Sequence, residues 1–181
     1  LVSQVITALA LERPILLGHS MGGGLAVATA ATFPNQVAGL VLAASIGLRR
    51  HQALRRSRPD IVARLVDGPL TGLLLRPLVE PAFHAMGFPK SVPNHQLRLT
   101  LRLAAHVDFQ EQRAYVGAVK QPTLIAHAED DPLVEPAIFD EMSAALPAGP
   151  RLRFTDGGHN IQKTHATELG EAVVRFAQTL D

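Results

Sequence analysis

The sequence contains no cysteine and no long uninterrupted apolar run. The first absence excludes disulfide bonds, a thiolate nucleophile and any zinc site built on sulfur, so the stability of the fold must come from packing. The second argues against a membrane-spanning helix. The stretch from Leu70 to Leu78 is broken by Gly72 and Pro77, which leaves it well short of the roughly 20 apolar residues that a span requires.

A strong net charge is also lacking. The formal net charge of +1 gives no general reason to expect a nucleic acid or an anionic membrane as a partner. The 181 residues, of which 47% are hydrophobic, are enough to bury one sizeable core. We therefore expect a globular domain that neither binds nucleic acid nor spans a membrane.

Short apolar runs alternate with helical patterns along most of the chain. Runs typical of buried parallel strands cover residues 14–17, 37–44, 123–128 and, more weakly, 152–154. Helical patterns cover about 2–12, 21–33, 136–146 and 166–180. Strands that alternate with helices predict an α/β fold, in which helices flank a parallel sheet.

The alternation is interrupted over residues 47–119, which are rich in arginine, leucine and proline. We interpret this segment as an inserted helical cap, with the core formed by residues 1–46 and 120–181. The arginines are more typical of a solvated face than of a site for anionic substrates. Four leucines at positions 97, 99, 101 and 103 recur at a period of two, so this part of the cap reads as either helix or strand.

The run GHSMG at residues 18–22 lies between a predicted strand and a predicted helix. This is the context in which a G-x-S-x-G sequence presents a nucleophilic serine, here Ser20, in a sharp turn. We expect Gly18 and Gly22 to remove side chains that would collide with the strand and the helix. The backbone N–H of Met21, at the helix N-terminus, could stabilise an oxyanion.

Two other roles for this turn have to be weighed. A glycine-rich turn can merely pack a helix tightly on a sheet, or it can bind the phosphates of a dinucleotide. The dinucleotide role is disfavoured because His19 and Ser20 disrupt the G-x-G-x-x-G spacing and no P-loop lysine follows. We favour the nucleophile.

A serine nucleophile needs a histidine that takes its proton and an acid that orients this histidine. The expected chain order is serine, acid, histidine. Asp131 follows the third predicted strand in the run AEDDP, and His159 follows the fourth in DGGHN. We predict Ser20, Asp131 and His159 as catalytic residues and a packed or backbone-bonded role for His127. No histidines show a metal-binding spacing, so we expect no metal and no cofactor.

The runs GHSMGG, AEDDPLVEP and DGGHNIQ together resemble the α/β-hydrolase superfamily, in its capped, serine-nucleophile, esterase-like branch. The resemblance covers nearly the whole chain, although the cap has no recognisable motif. It implies that Asp131 is the acid and His159 the base. Ala128 stands where the family usually has glycine, and Asp130 is a less favoured acid. The resemblance also favours helix for the leucine-rich part of the cap.

Members of this superfamily build most of their sheet before the nucleophile strand. They take a second oxyanion donor from an earlier loop, often with an H-G sequence. The 181 residues of this chain contain no such loop before Ser20. We therefore expect the chain to be the carboxyl-terminal part of a longer hydrolase, and the 181 residues alone to aggregate or to be inactive. The localisation and the oligomeric state are left open.

The resemblance implies a serine hydrolase that acts on an ester-like small molecule through an acyl-enzyme. It does not separate an esterase from a lactonase, an amidase, a carbon–carbon bond hydrolase or an acyltransferase, because these share the three catalytic residues. The alternative is a truncated, non-catalytic relative, or half of a split chain, that offers its sheet edge to a partner.

Overall fold

The computed structural model describes residues 1–85 and 88–180, apart from the side chains of Arg76, Glu80 and Ala85. The strands are β1 (Ile15–His19), β2 (Gly39–Ala43), β3 (Thr123–Ala128) and β4 (Arg151–Phe154). The helices are α1 (Val2–Ala8), α2 (Met21–Thr32), α3 (Gln52–Ser57), α4 (Pro59–Asp67), α5 (Thr71–Ala85), α6 (Asn94–Ala105), α7 (Phe109–Ala118), α8 (Pro136–Ala145), α9 (Ile161–Thr164) and α10 (Ala166–Gln178). Short 3₁₀ turns occur at Pro34–Gln36 and Gly158–Asn160.

The four strands form one parallel sheet in the order β1-β2-β3-β4. The predicted α/β fold with a parallel sheet flanked by helices is confirmed. β1 continues two residues further than predicted, through His19, so Ser20 follows the strand directly. The three loops that carry the predicted catalytic residues all leave the carboxyl ends of strands, the edge at which open α/β sheets bind ligands.

Both faces of the sheet are covered, as the continuous apolar runs predict. Successive residues of a strand point to opposite faces. Accordingly, Leu40 and Leu42 of β2 belong to one hydrophobic cluster, which includes residues of α2 and α8. Val41 and Ala43 belong to a second cluster, which includes residues of α10. The sheet thus forms the middle layer of three.

The chain divides into two compact units, Leu1–Ala53 with Phe109–Asp181, and Leu54–Asp108. The first unit contains the sheet. The second contains α4, α5 and α6 around its own small core, in which Val66, Phe83 and Leu97 are buried. This second unit begins later and ends earlier than the predicted cap segment 47–119. Its role as a cap stays a prediction.

The leucine-rich part of the second unit is helical, as the family resemblance favoured, and lies in α6. Leu97 and Leu101 are buried, whereas Leu99 and Leu103 are more than half exposed. Residues four apart share one face of a helix. The period of two in the sequence therefore reflects two opposite faces of one helix and not a strand.

None of the helices in the described residues is both long enough and apolar enough to span a membrane.

Candidate active site

Ser20 occupies a sharp turn between β1 and α2. Its backbone has φ +54° and ψ −123°, a conformation that residues with a side chain rarely adopt. Two hydrogen bonds fix the turn, one from Ser20 N to the carbonyl of Ala43 and one from Ile46 N to the carbonyl of Ser20. The strain is therefore held in place by β2 and by the residues that follow it, as is common at functional sites.

Of the two glycines that the sequence singles out in this turn, only Gly18 acts as expected. A Cβ on Gly18 would lie 2.5 Å from the carbonyl oxygen of Gly22 and 2.6 Å from Cα of Gly23, so Gly18 does allow the strand and the helix to approach. A Cβ on Gly22 would meet nothing within 4 Å among the described residues. The expected collision at Gly22 is wrong. The second tight position is Gly23, where a Cβ would lie 1.9 Å from Ser45 Oγ.

His159 lies between the other two predicted catalytic residues. Its Nε2 is 2.9 Å from Ser20 Oγ, and its Nδ1 is 2.8 Å from Oδ2 of Asp131. An ionised carboxylate only accepts hydrogen bonds, so Nδ1 carries the hydrogen and Nε2 is free to accept the hydroxyl proton of Ser20. The structure thus brings His159 together with Ser20, 139 positions earlier in the chain, and with Asp131, 28 positions earlier.

The carboxylate of Asp131 is completely buried, with no exposed side-chain surface. Burial by itself raises the pKa of this carboxyl group, but the hydrogen bonds from His159 and from the backbone N–H groups of Val134 and Leu133 outweigh it, and the pKa is lowered. Asp131 therefore stays ionised at neutral pH and can stabilise a positive charge on His159.

Asp130, the less favoured acid, binds a different part of the same loop. Its carboxylate oxygens accept hydrogen bonds from the backbone N–H groups of Gly157 and Gly158, at 3.3 and 2.8 Å. Both glycines have positive φ, +117° and +62°, which favours glycine. Asp130 therefore holds the backbone that leads into His159.

The acid loop is also tied to the segment that follows β2, a relationship that no local sequence pattern reveals. Glu135 accepts hydrogen bonds from the guanidinium of Arg49 at 2.7 Å and from the backbone N–H of Gln52 at 2.6 Å. His51 Nδ1 lies 2.9 Å from the carbonyl oxygen of Leu133. Arg49, which the sequence placed among the arginines of a solvated face, instead pairs with the loop that carries Asp131.

Met21 is the first residue of α2. The N–H groups in the first turn of a helix have no acceptor within that helix, and the helix dipole makes this end attractive to negative charge. The backbone N–H of Met21 is therefore in the right element to bind an oxyanion. Its role as an oxyanion donor stays a prediction.

Two further histidines have partners that explain their presence. His127 is buried and stacks on Phe139 with ring centroids 5.5 Å apart, so of the two roles predicted for it, packed or backbone-bonded, the structure shows the packed one. His165 stacks on Phe154 and bonds to Asp156. In the part of the chain that the structure describes, no three histidine or acidic residues are grouped so as to hold a metal ion. The expectation of no metal remains a prediction.

Comparison with known proteins decides the family. A family model described as alpha/beta hydrolase fold matches residues 1–166. The chain belongs to this α/β-hydrolase family. The match includes all the positions that carry the resemblance, from the GHSMGG turn to the loop that contains His159.

Curated relatives of this α/β hydrolase include a 2-hydroxymuconate semialdehyde hydrolase from Pseudomonas sp. (strain CF600), 27% identical over 98% of the chain and 66% of the relative. A pimeloyl-[acyl-carrier protein] methyl ester esterase from Xylella fastidiosa (strain M12) is 28% identical over 98% of the chain and 76% of the relative. The chain thus spans just under two thirds of the length of the first of these relatives.

Solved structures show the same fold. A thermophilic esterase from Thermogutta terrifontis is 21% identical, with a TM-score of 0.73 over 99% of this chain and 70% of that one. At this level of identity the similarity supports the fold and carries no information on substrate.

Proposed function

We propose that the protein is a serine hydrolase that cleaves an ester-like small molecule through an acyl-enzyme on Ser20. The observation that carries this proposal is the continuous chain of hydrogen bonds from Ser20 Oγ through His159 to Asp131, at 2.9 and 2.8 Å. A serine hydroxyl is a weak nucleophile by itself, and this chain supplies both the base and the group that orients it.

In the first step, Ser20 Oγ attacks the carbonyl carbon of the substrate while its proton passes to His159 Nε2. The positive charge that His159 gains is stabilised by the buried carboxylate of Asp131. The negative oxygen of the tetrahedral intermediate accepts a hydrogen bond from Met21 N–H. The intermediate collapses, the leaving alcohol takes the proton from His159, and the acyl group remains on Ser20.

In the second step, water attacks the acyl carbon and gives its proton to His159 Nε2. The second tetrahedral intermediate releases the carboxylic acid, and Ser20 Oγ takes the proton back from His159. Each cycle therefore consumes one water and leaves the protein unchanged.

The proposal of an ester-like substrate rests on the acyl-transfer chemistry of Ser20 and on the names of the relatives. One relative is named as an esterase for a methyl ester and another as a hydrolase for a semialdehyde. The three catalytic residues can support hydrolysis of an ester, a lactone, an amide or a carbon–carbon bond. Rates measured on a panel of such substrates would rank these substrate classes.

A second candidate function rests on β1. Among the described strands β1 has only β2 as a neighbour, and Leu17 in β1 is 55% exposed. An open sheet edge with apolar side chains is a surface on which another strand can pair. A non-catalytic relative would use this edge to bind a partner chain and would leave Ser20 unreactive.

The two functions are separated by a fluorophosphonate probe, which bonds covalently to an activated serine. In the protein at its full natural length, the proposal predicts labelling at Ser20 and hydrolysis of p-nitrophenyl esters. Both should be absent in Ser20→Ala and retained in Ser3→Ala. Ser3 is a matched control because it lies in α1 and its hydroxyl donates a hydrogen bond to Gln36 Oε1 at 2.8 Å. An interaction module predicts no labelling of either protein.

A further inference from the structure

His159 has a contact that the proposed mechanism does not use. His19, the last residue of β1, places its Nε2 2.8 Å from the backbone carbonyl oxygen of His159. A backbone carbonyl only accepts hydrogen bonds, so His19 Nε2 must carry the hydrogen. The residue that precedes the nucleophile is thus bonded to the residue that serves as its base.

The rings of the two histidines are also in contact. Their centroids lie 4.9 Å apart and their planes are inclined by 51°. His19 therefore touches His159 at two places, its backbone carbonyl and its ring. Together these contacts restrict both the position of the loop and the rotation of the imidazole.

The strand that carries His19 is a firm support for this contact. All five residues of β1 are paired in register with β2, and His19 pairs with Ala43. Ser20 follows His19 directly and is bonded to the same strand through Ala43. The hydroxyl of Ser20 and the donor of His19 are therefore fixed to one rigid element, so a bond from His19 to His159 also sets the distance between Ser20 Oγ and His159 Nε2.

The loop that carries His159 needs such support. This loop, between β4 and α9, contains two glycines with positive φ and one short 3₁₀ turn. Asp130 holds its backbone from one side through Gly157 and Gly158. His19 holds it from the side of the nucleophile.

The charge state of His19 suits this role. Burial is the main influence on the pKa of His19, and it lowers this pKa. The hydrogen bond to the carbonyl of His159 and the charge of Asp131 raise the pKa but only partly offset the burial, and the charges of His159 and Lys163 lower it further. His19 is therefore neutral at neutral pH. A neutral donor does not oppose the positive charge that His159 gains when it takes the proton of Ser20.

We propose that His19 is a positioning residue that holds His159 at the distance and ring orientation needed to accept the proton of Ser20. This inference rests on the proposed function, because it assigns His159 as the base. His19 acts through His159 and does not itself bond to the substrate.

The test compares two substitutions in the protein at its full natural length. His19→Leu replaces the imidazole with an apolar side chain of similar volume and so removes the donor, whereas His19→Gln keeps an N–H group at a similar reach. A displacement of about 1 Å at a catalytic group costs about 100-fold in rate. We expect kcat for p-nitrophenyl acetate to fall about 10- to 100-fold in His19→Leu with KM unchanged, and to recover most of this loss in His19→Gln.

His106→Leu is the matched control, since His106 Nδ1 makes the same kind of bond, 2.7 Å from the carbonyl oxygen of Arg102, in the second compact unit. It should leave kcat unchanged. An equal kcat in the wild type and His19→Leu would overturn the inference, and so would a loss in His19→Leu that His19→Gln does not relieve.

Fluorophosphonate labelling separates this inference from the proposed function. If the wild type does not label at Ser20, the proposed function fails. If the wild type and His19→Leu label at the same rate, only the role of His19 fails. For the case in which His19→Leu does not fold, ¹⁵N NMR of the wild type gives an independent answer: the inference requires hydrogen on Nε2 of His19, and hydrogen on Nδ1 alone would overturn it.

Discussion

The adjacent carboxylates of Asp130 and Asp131 bind different parts of the loop that carries His159. Asp131 accepts a hydrogen bond from the imidazole Nδ1 at 2.8 Å, whereas Asp130 accepts hydrogen bonds from the backbone N–H groups of Gly157 and Gly158. One acid thus orients the ring, and the other holds the main chain. Two neighbouring residues of the same type have separate tasks because successive side chains leave the loop in different directions.

This division predicts different kinetics for two matched substitutions. Asp131→Asn should lower kcat by about 10⁴-fold, because an amide in place of the carboxylate favours the wrong tautomer of the histidine. Asp130→Asn should cause a much smaller loss, because an amide oxygen can still accept from the two glycine N–H groups. Steady-state hydrolysis of a p-nitrophenyl ester measures both. A larger loss in Asp130→Asn than in Asp131→Asn would reverse the assignment of the acid.

The glycines of the Ser20 turn predict an asymmetry in stability. Gly18→Ala should lower the free energy of unfolding by about 1–3 kcal/mol or prevent folding, since its Cβ would meet backbone atoms at 2.5 and 2.6 Å that cannot yield. Gly22→Ala should be neutral or stabilise by up to about 1 kcal/mol, because alanine favours helix more than glycine does. Urea unfolding measures both values, and equal destabilisation by the two substitutions would contradict a close approach of β1 and α2 at Gly18 alone.

The buried His127 predicts a pH dependence of stability. Burial lowers the pKa of His127, and nearby charges change it less, some upwards and some downwards. Its Nε2 is buried and has no hydrogen-bond partner among the described residues. The unfolded chain therefore binds more protons than the folded chain just below the ordinary histidine pKa of about 6.5, and stability falls as the pH falls through this range.

His127→Leu should remove this contribution. We expect the free energy of unfolding to fall less between about pH 7.5 and pH 5 in the variant than in the wild type. At the higher pH the variant should be at least as stable, because it no longer buries an unpaired nitrogen. Some pH dependence should persist, since burial also lowers the pKa of His19 and His51. Equal losses in the wild type and the variant would rule out a neutral, buried His127.

The features that the sequence could predict are those set by local chemistry. The turn at Ser20 depends on a strand, a helix and small residues between them, all of which lie within about 20 neighbouring positions. The alternation of apolar runs and helices likewise predicted the parallel sheet. Asp131 and His159 could be chosen because chain order and the carboxyl ends of parallel strands narrow the candidates.

The features that escaped prediction depend on contacts between distant parts of the chain. The bond from His19 to the carbonyl of His159 joins residues 140 positions apart, and the pair of Arg49 and Glu135 joins residues 86 positions apart. Neither contact leaves a local pattern. The error at Gly22 has a similar origin. The side of the helix that faces the strand decides at which glycine a Cβ would collide, and the spacing of glycines in the sequence does not reveal that side.

The proposed function requires Ser20 to be an activated nucleophile. Mass spectrometry after reaction with a fluorophosphonate probe measures this reactivity in the wild type and in the Ser20→Ala and Ser3→Ala variants at full natural length. We expect one covalent adduct on the peptide that contains Ser20, in the wild type and Ser3→Ala but not in Ser20→Ala, where ester hydrolysis also falls at least about 10⁴-fold. No adduct on folded wild-type protein, or unchanged hydrolysis in Ser20→Ala, would contradict it.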